Sequence, residues 1–367
     1  MPHPSPVRTL ALPALAGALL LGACSGGASP SASPATSAAP TPAVSDAPSV
    51  EPSAAASPEG TVTVYSGRSE ELVDPILQQF SDDTGIEIEV RYAGTTELAT
   101  TILEEGDNSP ADVFFSQDGG ALGALAQEGR LAALPEDVLD LVDPRFRAES
   151  GQWVGVSGRA RVLAYDTREL SEGDLPASVE GLTDPEWSGR LGWVPTNASF
   201  QTFVTALRLQ LGEDGAREWL TGIQANEPKV YEGNAAALEA VRAGEIDVAL
   251  INHYYLFQAQ AESGEEYPVA NHYFTGGDPG ALVNVAGVGI LGTAEHPVAA
   301  EALVRFLLSR EAQTYFSEET FEYPLVEGTA ADDRLPPLAD IESPDIDLSD
   351  LSDLEGTLEL LTEVGVL

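Results

Sequence analysis

Residues 246–262 read IDVALINHYYLFQAQAE, and the change of pattern inside them decides the kind of fold. Ile246 to Ile251 is a short apolar run of strand length, rich in β-branched residues. From His253 the spacing becomes helical, and Asn252 stands at the junction as a suitable N-cap. A strand that feeds directly into a helix is the repeating unit of α/β proteins. Tyr254 and Tyr255 fall at the helix start. There, adjacent side chains are only about 100° apart, so both phenols can converge on one point; on a strand they would face opposite ways.

The same alternation continues in both directions. Upstream, TVTVYSG (61–67) is a strand followed by SEELVDPILQQFSDDTG (69–85), with Leu72, Val73, Ile76, Leu77 and Phe80 at helical spacing and Gly85 as a stop. IEIEVRY (86–92) alternates apolar and charged, as a half-exposed strand does. A helix over 95–107, the buried-type strand ADVFFS (111–116) and a helix from Gly119 follow. Later come strands at 161–167, 191–196 and 281–291, and helices over 199–212, 235–245, 298–309, 311–319 and 353–367. This pattern predicts a mainly parallel sheet covered by helices. Two α/β lobes joined by strands near 153–165 and 281–292 would leave a cleft at strand ends, where α/β proteins bind ligands.

The amino terminus reads differently. Arg8, then the apolar run LALPALAGALLLGA (10–23), is too short to span a bilayer permanently and ends at Leu21-Gly22-Ala23-Cys24. Small residues followed by the chain's single cysteine resemble the lipobox of bacterial lipoproteins. Residues 1–23 are therefore expected to be an export signal and Cys24 the lipid-bearing residue. Residues 24–58 are almost wholly Ala, Ser, Pro and Thr, too poor in apolar surface to form a core. They form a tether with a reach on the order of 100 Å when extended. The charge of −42 disfavours nucleic acid and anionic lipid headgroups as partners.

Catalytic signatures are scarce. There is no G-x-S-x-G elbow, Walker loop or H-E-x-x-H, and no nucleophile–base pairing to suggest a hydrolase. Gly287, Gly289 and Gly292 match G-x-G-x-x-G but lie inside an apolar run, which suits a closely packed strand. The three histidines outside the leader, His253, His272 and His296, make no soft-metal cluster. Two phenolates, by contrast, are hard anionic oxygens suited to a hard trivalent cation. The plainer alternative is a pair of amphipathic core tyrosines with satisfied hydroxyls. Two further helix starts, Thr196-Asn197-Ala198-Ser199 and Gly233-Asn234, would add N–H groups for an anion, or serve only as caps.

Seven blocks together resemble the ferric-ion-binding proteins of bacterial ABC iron importers. They are VYSGRSEELV (64–73), EEGDNSPADVFFSQD (104–118), SGRARVLAYDTREL (157–170), GWVPTNASFQ (192–201), YEGNAAALEAVRAGEIDVALINHYY (231–255), DPGALVNVAGVGIL (278–291) and EYPLVEG (322–328). The resemblance runs from about Thr61 to the carboxyl end. It implies an α/β, two-lobed, periplasmic-binding-protein-like fold of type II, hinged around a central cleft. The lobes would be 59–160 with 284–330, and 161–283 with 331–367. It further implies that Tyr254 and Tyr255 bind Fe³⁺, and that Asn197, Ala198, Ser199, Asn234 and Asn252 contact an anion. Arg159 and Arg161 match positions that hold a carbonate-type anion in some members; the guanidinium fork suits a planar oxyanion. Departures are equally specific. Ser69 stands where some members place a histidine ligand and also reads as a helix N-cap, Gln117 stands where others place a glutamate, and Asn197 and Phe200 occupy a segment that carries a further tyrosine in some.

These readings converge on a monomeric, lipid-anchored, extracytoplasmic binding protein, not an enzyme. It would capture Fe³⁺ with carbonate or citrate as synergistic anion and pass it to an ABC importer permease. The competing reading is the same fold binding a small phosphate- or carboxylate-bearing solute without metal, which leaves adjacent tyrosines unexplained.

Overall fold

The computed structural model describes residues 60–264 and 267–367. The expected export signal, the tether and the lipidation residue Cys24 lie outside the described residues.

The chain begins with β1 (Thr61–Ser66), α1 (Glu70–Thr84), β2 (Glu87–Tyr92), α2 (Thr95–Glu105), β3 (Val113–Ser116), α3 (Gly119–Gln127) and the single turn α4 (Glu136–Leu139). β4 (Val154–Asp166) leads to β5 (Leu191–Trp193), α5 (Ala198–Ala225), β6 (Lys229–Val230), α6 (Asn234–Arg242), β7 (Val248–Asn252), α7 (Tyr254–Ser263) and β8 (Val269–His272). Then follow β9 (Val283–Ile290), α8 (Pro297–Leu307), α9 (Arg310–Glu318), β10 (Tyr323–Pro324) and α10 (Leu354–Glu363).

Local sequence accounts for most of these elements. In α1, Val73, Ile76, Leu77 and Phe80 recur at i, i+3, i+4 and i+7 and are all buried. Each such side chain contributes about 1.5–3 kcal/mol. Gly85 ends the helix at φ 74°, and its N–H donates to the Ser81 carbonyl. β2 alternates exposed and half-buried side chains and lies at the edge of the sheet, where its charges discourage further pairing.

The sheet order is β2-β1-β3-β9-β4-β7-β5-β6, with β8 and β10 also paired to β4. β1 is parallel to β2 and β3, and β5 to β6 and β7. The centre, however, is antiparallel: β9 against β3 and β4, and β4 against β7 and β8. A mainly parallel sheet is therefore the wrong description of the middle. β4 carries the chain out of the first half and β9 brings it back, which forces the two to run in opposite directions. The partners of β4 change along its length. Residues 154–160 pair with β9, and 161–165 with β7. All thirteen residues of β4 are buried.

Gly287 and Gly289 lie in β9, where an added Cβ would fall within 2.9 Å of the Val154 carbonyl oxygen or 2.8 Å of a Leu131 methyl. They permit close strand packing, so the G-x-G-x-x-G match is a packing feature. The segment after β10 touches both halves. Leu348 and Leu351 seat on α3, where a Cβ at Gly120 would stand 2.3 Å from the Leu351 carbonyl oxygen. Further on, α10 lies against α5, with Thr205 Oγ1 and Thr357 Oγ1 2.8 Å apart.

Candidate functional site

Three helix starts, one strand crossing and one turn build the site. β7 ends at Asn252, and α7 begins at Tyr254. Asn252 is not the N-cap expected of it: it stays in the strand opposite Arg161, and His253 takes the cap position without a side-chain cap bond. Tyr254 and Tyr255 leave the helix start as a stacked pair, with ring centroids 4.4 Å apart and planes 26° from parallel. Tyr254 is buried. Tyr255 lines a cleft of about 1070 Å³ whose walls include Ser69, Leu72 and Phe321 from one half and Ala235, Leu238 and Gln258 from the other.

Buried cations face the phenols. Arg68, in the turn after β1, and Arg159 and Arg161, on β4, are all at most 3% exposed. Arg68 Nη2 donates to Glu322 Oε1 at 2.7 Å, whereas Arg159 Nε stays 4.0 Å from the same oxygen. Glu322 Oε2 accepts from Ser157 Oγ at 2.8 Å and from Thr320 Oγ1 at 3.3 Å. The two arginines consequently respond in opposite ways. Burial pulls Arg68 down, but Glu322 and the phenols outweigh it and its pKa ends above the ordinary value. Arg159, without the direct bond, is lowered by burial and by Arg68.

Arg161 is the most exceptional of the three. Its Nη1 donates to Ser199 Oγ at 3.4 Å and its Nη2 to the Leu250 carbonyl at 3.2 Å. The guanidinium lies over Phe200 and Phe203, 5.5 and 5.2 Å from the ring centroids. No carboxylate pairs with it among the described residues. Burial, with Arg159 adding to it, pushes its pKa down to about 9. Tyr254 is raised by burial first and by Tyr255 second, with Arg68 and Arg159 acting against both.

The other sequence-derived candidates divide. Asn197 caps α5: its Oδ1 accepts from Ser199 N at 3.0 Å and Ser199 Oγ at 2.6 Å. Ala198 opens that helix, and Ser199 is tied to both Asn197 and Arg161. Asn234 opens α6, is buried, and neither amide atom has a partner among the described residues. Asn252 Nδ2 is likewise unpartnered. Ser69 occupies the N-cap position of α1, but its side chain makes no cap bond; it lines the cleft. Gln117 is held through its backbone N–H, which donates to Thr95 Oγ1 at 3.1 Å.

His253 has a structural part. Its Nδ1 accepts from the Ala160 N–H at 3.1 Å, which leaves the proton on Nε2, directed at the Phe321 carbonyl 2.8 Å away. The ring stacks on Tyr323 at 4.8 Å, and burial drives its pKa down to about 3, so it stays neutral. Both nitrogens are occupied, and the ring links β7 to β4 and to the turn before β10. Among the described residues no three His, Cys, Asp or Glu side chains gather as a metal site. Tyr255 lines the cleft together with the carboxylates Glu71, Glu239, Glu262 and Glu319.

The profile of a family described as bacterial extracellular solute-binding proteins matches residues 108–350. The chain belongs to that family. A Fe(3+)-binding periplasmic protein of Serratia marcescens is 34% identical to this solute-binding protein over 315 residues, 85% of this chain and 93% of its own. The iron-bound structure of HitA from Pseudomonas aeruginosa is 40% identical, with a TM-score of 0.80 over 83% of this chain and 99% of that one. IdiA (FutA) of Trichodesmium, solved with iron and citrate ligands, is 27% identical, with a TM-score of 0.73 and the same coverage. The expected fold, α/β with two lobes of the type II periplasmic-binding class about a central cleft, is the fold of these neighbours.

Sequence reading missed Arg68 and Glu322. Arg68 and Glu322 sit inside resembling blocks, and a basic residue is itself uncommon in a chain with 17 Lys and Arg against 59 Asp and Glu. That scarcity was the available signal for Arg68. Nothing local marks Glu322, which joins the site only through contacts 254 and 165 residues distant in sequence.

Proposed function

We propose that this solute-binding protein captures ferric iron between Tyr254 and Tyr255, together with a small oxyanion, and delivers it to an ABC importer permease. The observation that carries the reading is the stacked phenol pair facing three buried guanidiniums, one of them lacking a carboxylate partner. Two phenolates would offset two of the three charges on Fe³⁺ and leave vacant coordination positions. A bidentate anion such as carbonate or citrate fills two of those positions and cancels the remainder. Its outer oxygens would meet Arg159, Arg161, Asn234, Asn252 and the start of α5 at Asn197, Ala198 and Ser199. Ser69 and Gln117 are neutral and poor ligands for a hard cation, which makes the anion the more necessary.

The protein acts outside the cytoplasm as a monomer, held to the membrane by lipid on Cys24 and the tether beyond it. The lobes, 59–160 with 284–330 and 161–283 with 331–367, close on the cargo like a hinge. A metal-free anion binder would have no use for adjacent tyrosines. The test is addition of Fe³⁺ to the purified protein: a broad visible band, the mark of phenolate-to-iron charge transfer, is expected at one equivalent. A colourless protein with no measurable iron affinity in bicarbonate buffer would overturn the reading.

A further inference from the structure

Away from the tyrosine cleft, a second hollow of about 1070 Å³ lies between α2, α3 and α10. Its walls come from different halves of the fold. α2 packs on β1 and α3 on β3 and β9, whereas α10 is carried on α5 through the contact of Thr357 with Thr205. Gln127 Nε2 on α3 donates to Ser352 Oγ at 2.8 Å and links the two walls. Ala99, Ala121 and Ala124 keep the α2 and α3 side of the hollow low. The large apolar groups lining it are Leu103, 36% exposed, and Leu354 and Leu358, both half-buried. Leu354 and Leu358 are four residues apart and share one face of α10, while Leu360 and Leu361 are buried in the core. α10 therefore has two apolar sides, and only one of them is packed.

The charge around this hollow has one sign. Glu128, Asp353, Glu355, Glu359 and Glu363 line it, and among the described residues no Lys or Arg does. Asp353 pairs with Arg208 and Glu363 with Arg217. Glu128, Glu355 and Glu359 make no ion pair among the described residues. Glu355, Glu359 and Glu363 recur every fourth residue, so an acidic stripe runs along α10 beside the two leucines. An apolar trough of this kind accepts the apolar face of a helix, and unpaired carboxylates along it call for cations. The chain does not carry such a segment in its own leader and tether, since Arg8 is the one Lys or Arg in residues 1–59. A second copy would add like charge to a chain that already carries −42, and anionic lipid is repelled for the same reason.

We propose that the hollow between α2, α3 and α10 docks a short basic amphipathic helix of a partner protein. The apolar face of that helix fills the space between Leu103 and the Leu354–Leu358 pair. Its Lys or Arg residues meet Glu128, Glu355 and Glu359. α10 has 10 residues and is about 15 Å long, so some three turns of the partner are engaged. The docked helix touches both halves of the fold. The proposal concerns a surface separate from the tyrosine cleft and does not rest on iron capture.

The probe is a synthetic peptide of about 14 residues, built from Leu, Ala and Lys with the leucines on one helical face and labelled for fluorescence anisotropy. It is titrated with the iron-free protein at about 0.15 M salt, where charges more than ~8 Å apart are largely screened. A peptide of the same composition, ordered so that the leucines are dispersed around the helix, controls for charge alone. The amphipathic peptide should bind at least about tenfold tighter than its control. Leu354→Ala with Leu358→Ala keeps every charge, and Glu355→Lys with Glu359→Lys keeps the apolar trough; each pair should weaken the amphipathic peptide by about tenfold. Glu355 and Glu359 are exposed, so the second pair tests the site even if the first does not fold. Hydrogen exchange of the native protein should slow over 96–103 and 354–363 when the peptide binds. No binding, equal affinity for the two peptides, a charge-reversed variant that binds as the native protein does, or protection confined to the tyrosine cleft would each overturn the proposal.

Discussion

Arg68 Nη2 stands 2.7 Å from Glu322 Oε1, and the two side chains are 1% and 0% exposed. A pair so deeply buried is not a large net source of stability, because desolvating both charges costs about as much as their attraction returns. Breaking it is another matter. Glu322→Gln leaves the Arg68 guanidinium charged in an apolar setting, and Ser157 Oγ and Thr320 Oγ1 lose a charged acceptor. The expected loss is ~3 kcal/mol of unfolding free energy, read from urea denaturation. A loss below about 1 kcal/mol would mean that the pair is solvated in solution.

The tyrosines should behave in the opposite way. Tyr254→Phe or Tyr255→Phe removes one hydroxyl each, so unfolding free energy should move by no more than ~1 kcal/mol. The visible band of the iron complex should vanish and iron affinity should collapse. Two variants that keep native colour would show that the ligand assignment is wrong.

pH dependence follows from the same phenols. Burial and Tyr255 raise Tyr254, so the iron-free protein holds its proton where an unfolded chain would have released it. The folded state then binds more protons than the unfolded one. Stability of the iron-free form should fall as pH rises past the usual phenol value of about 10. Iron reverses the sign, because a phenolate ligand must shed its proton. Affinity should climb with pH, by up to about a hundredfold per unit if both phenols ionise on binding. Chelator competition at several pH values measures this, and a flat profile would exclude phenolate ligation.

The strand-to-helix junction at 246–262 was legible because strand and helix periods differ and the tyrosine pair lies where one gives way to the other. The apolar faces of α1 and β9 were legible for the same reason. The antiparallel centre was not, since direction is set by which strands meet across the sheet and no local pattern encodes it. Asn252 looked like a cap because the residue type suits one, yet its ladder to Arg161 held it in the strand. Arg68 and Glu322 meet from segments 254 residues apart in sequence, and only folding brings their charges together.

His253 separates support from ligation. Its ring bonds to the Ala160 N–H and the Phe321 carbonyl and leaves no nitrogen for metal. His253→Ala opens a cavity and strands two buried backbone groups, at a cost of ~3 kcal/mol. The iron complex of whatever folds should keep its visible band unchanged in position. A shifted band, with stability intact, would place the imidazole in the coordination sphere after all.

Arg161 gives the sharpest test of the anion. It is buried over two aromatic rings with no carboxylate beside it, and burial pulls its pKa down to about 9, a sign that its charge is held against an unfavourable setting. Such a charge is tolerated when something else needs it. Arg161→Met fills similar space without the charge, and replacing a poorly compensated buried ion by a hydrophobe is neutral or stabilising. The iron-free variant should therefore be as stable as the native protein or more so, by ~1 kcal/mol. Iron binding should suffer in a particular way. In carbonate-free buffer the variant and the native protein should bind Fe³⁺ with similar, weak affinity. Restoring bicarbonate or citrate should strengthen the native protein much more than the variant, since half of the anion's charged clamp is gone. Chelator competition under the three conditions reads the difference directly. An equal gain in both proteins would remove Arg161 from the anion site, and a native affinity indifferent to all three buffers would mean that a protein side chain, with Gln117 the first to examine, completes the coordination instead.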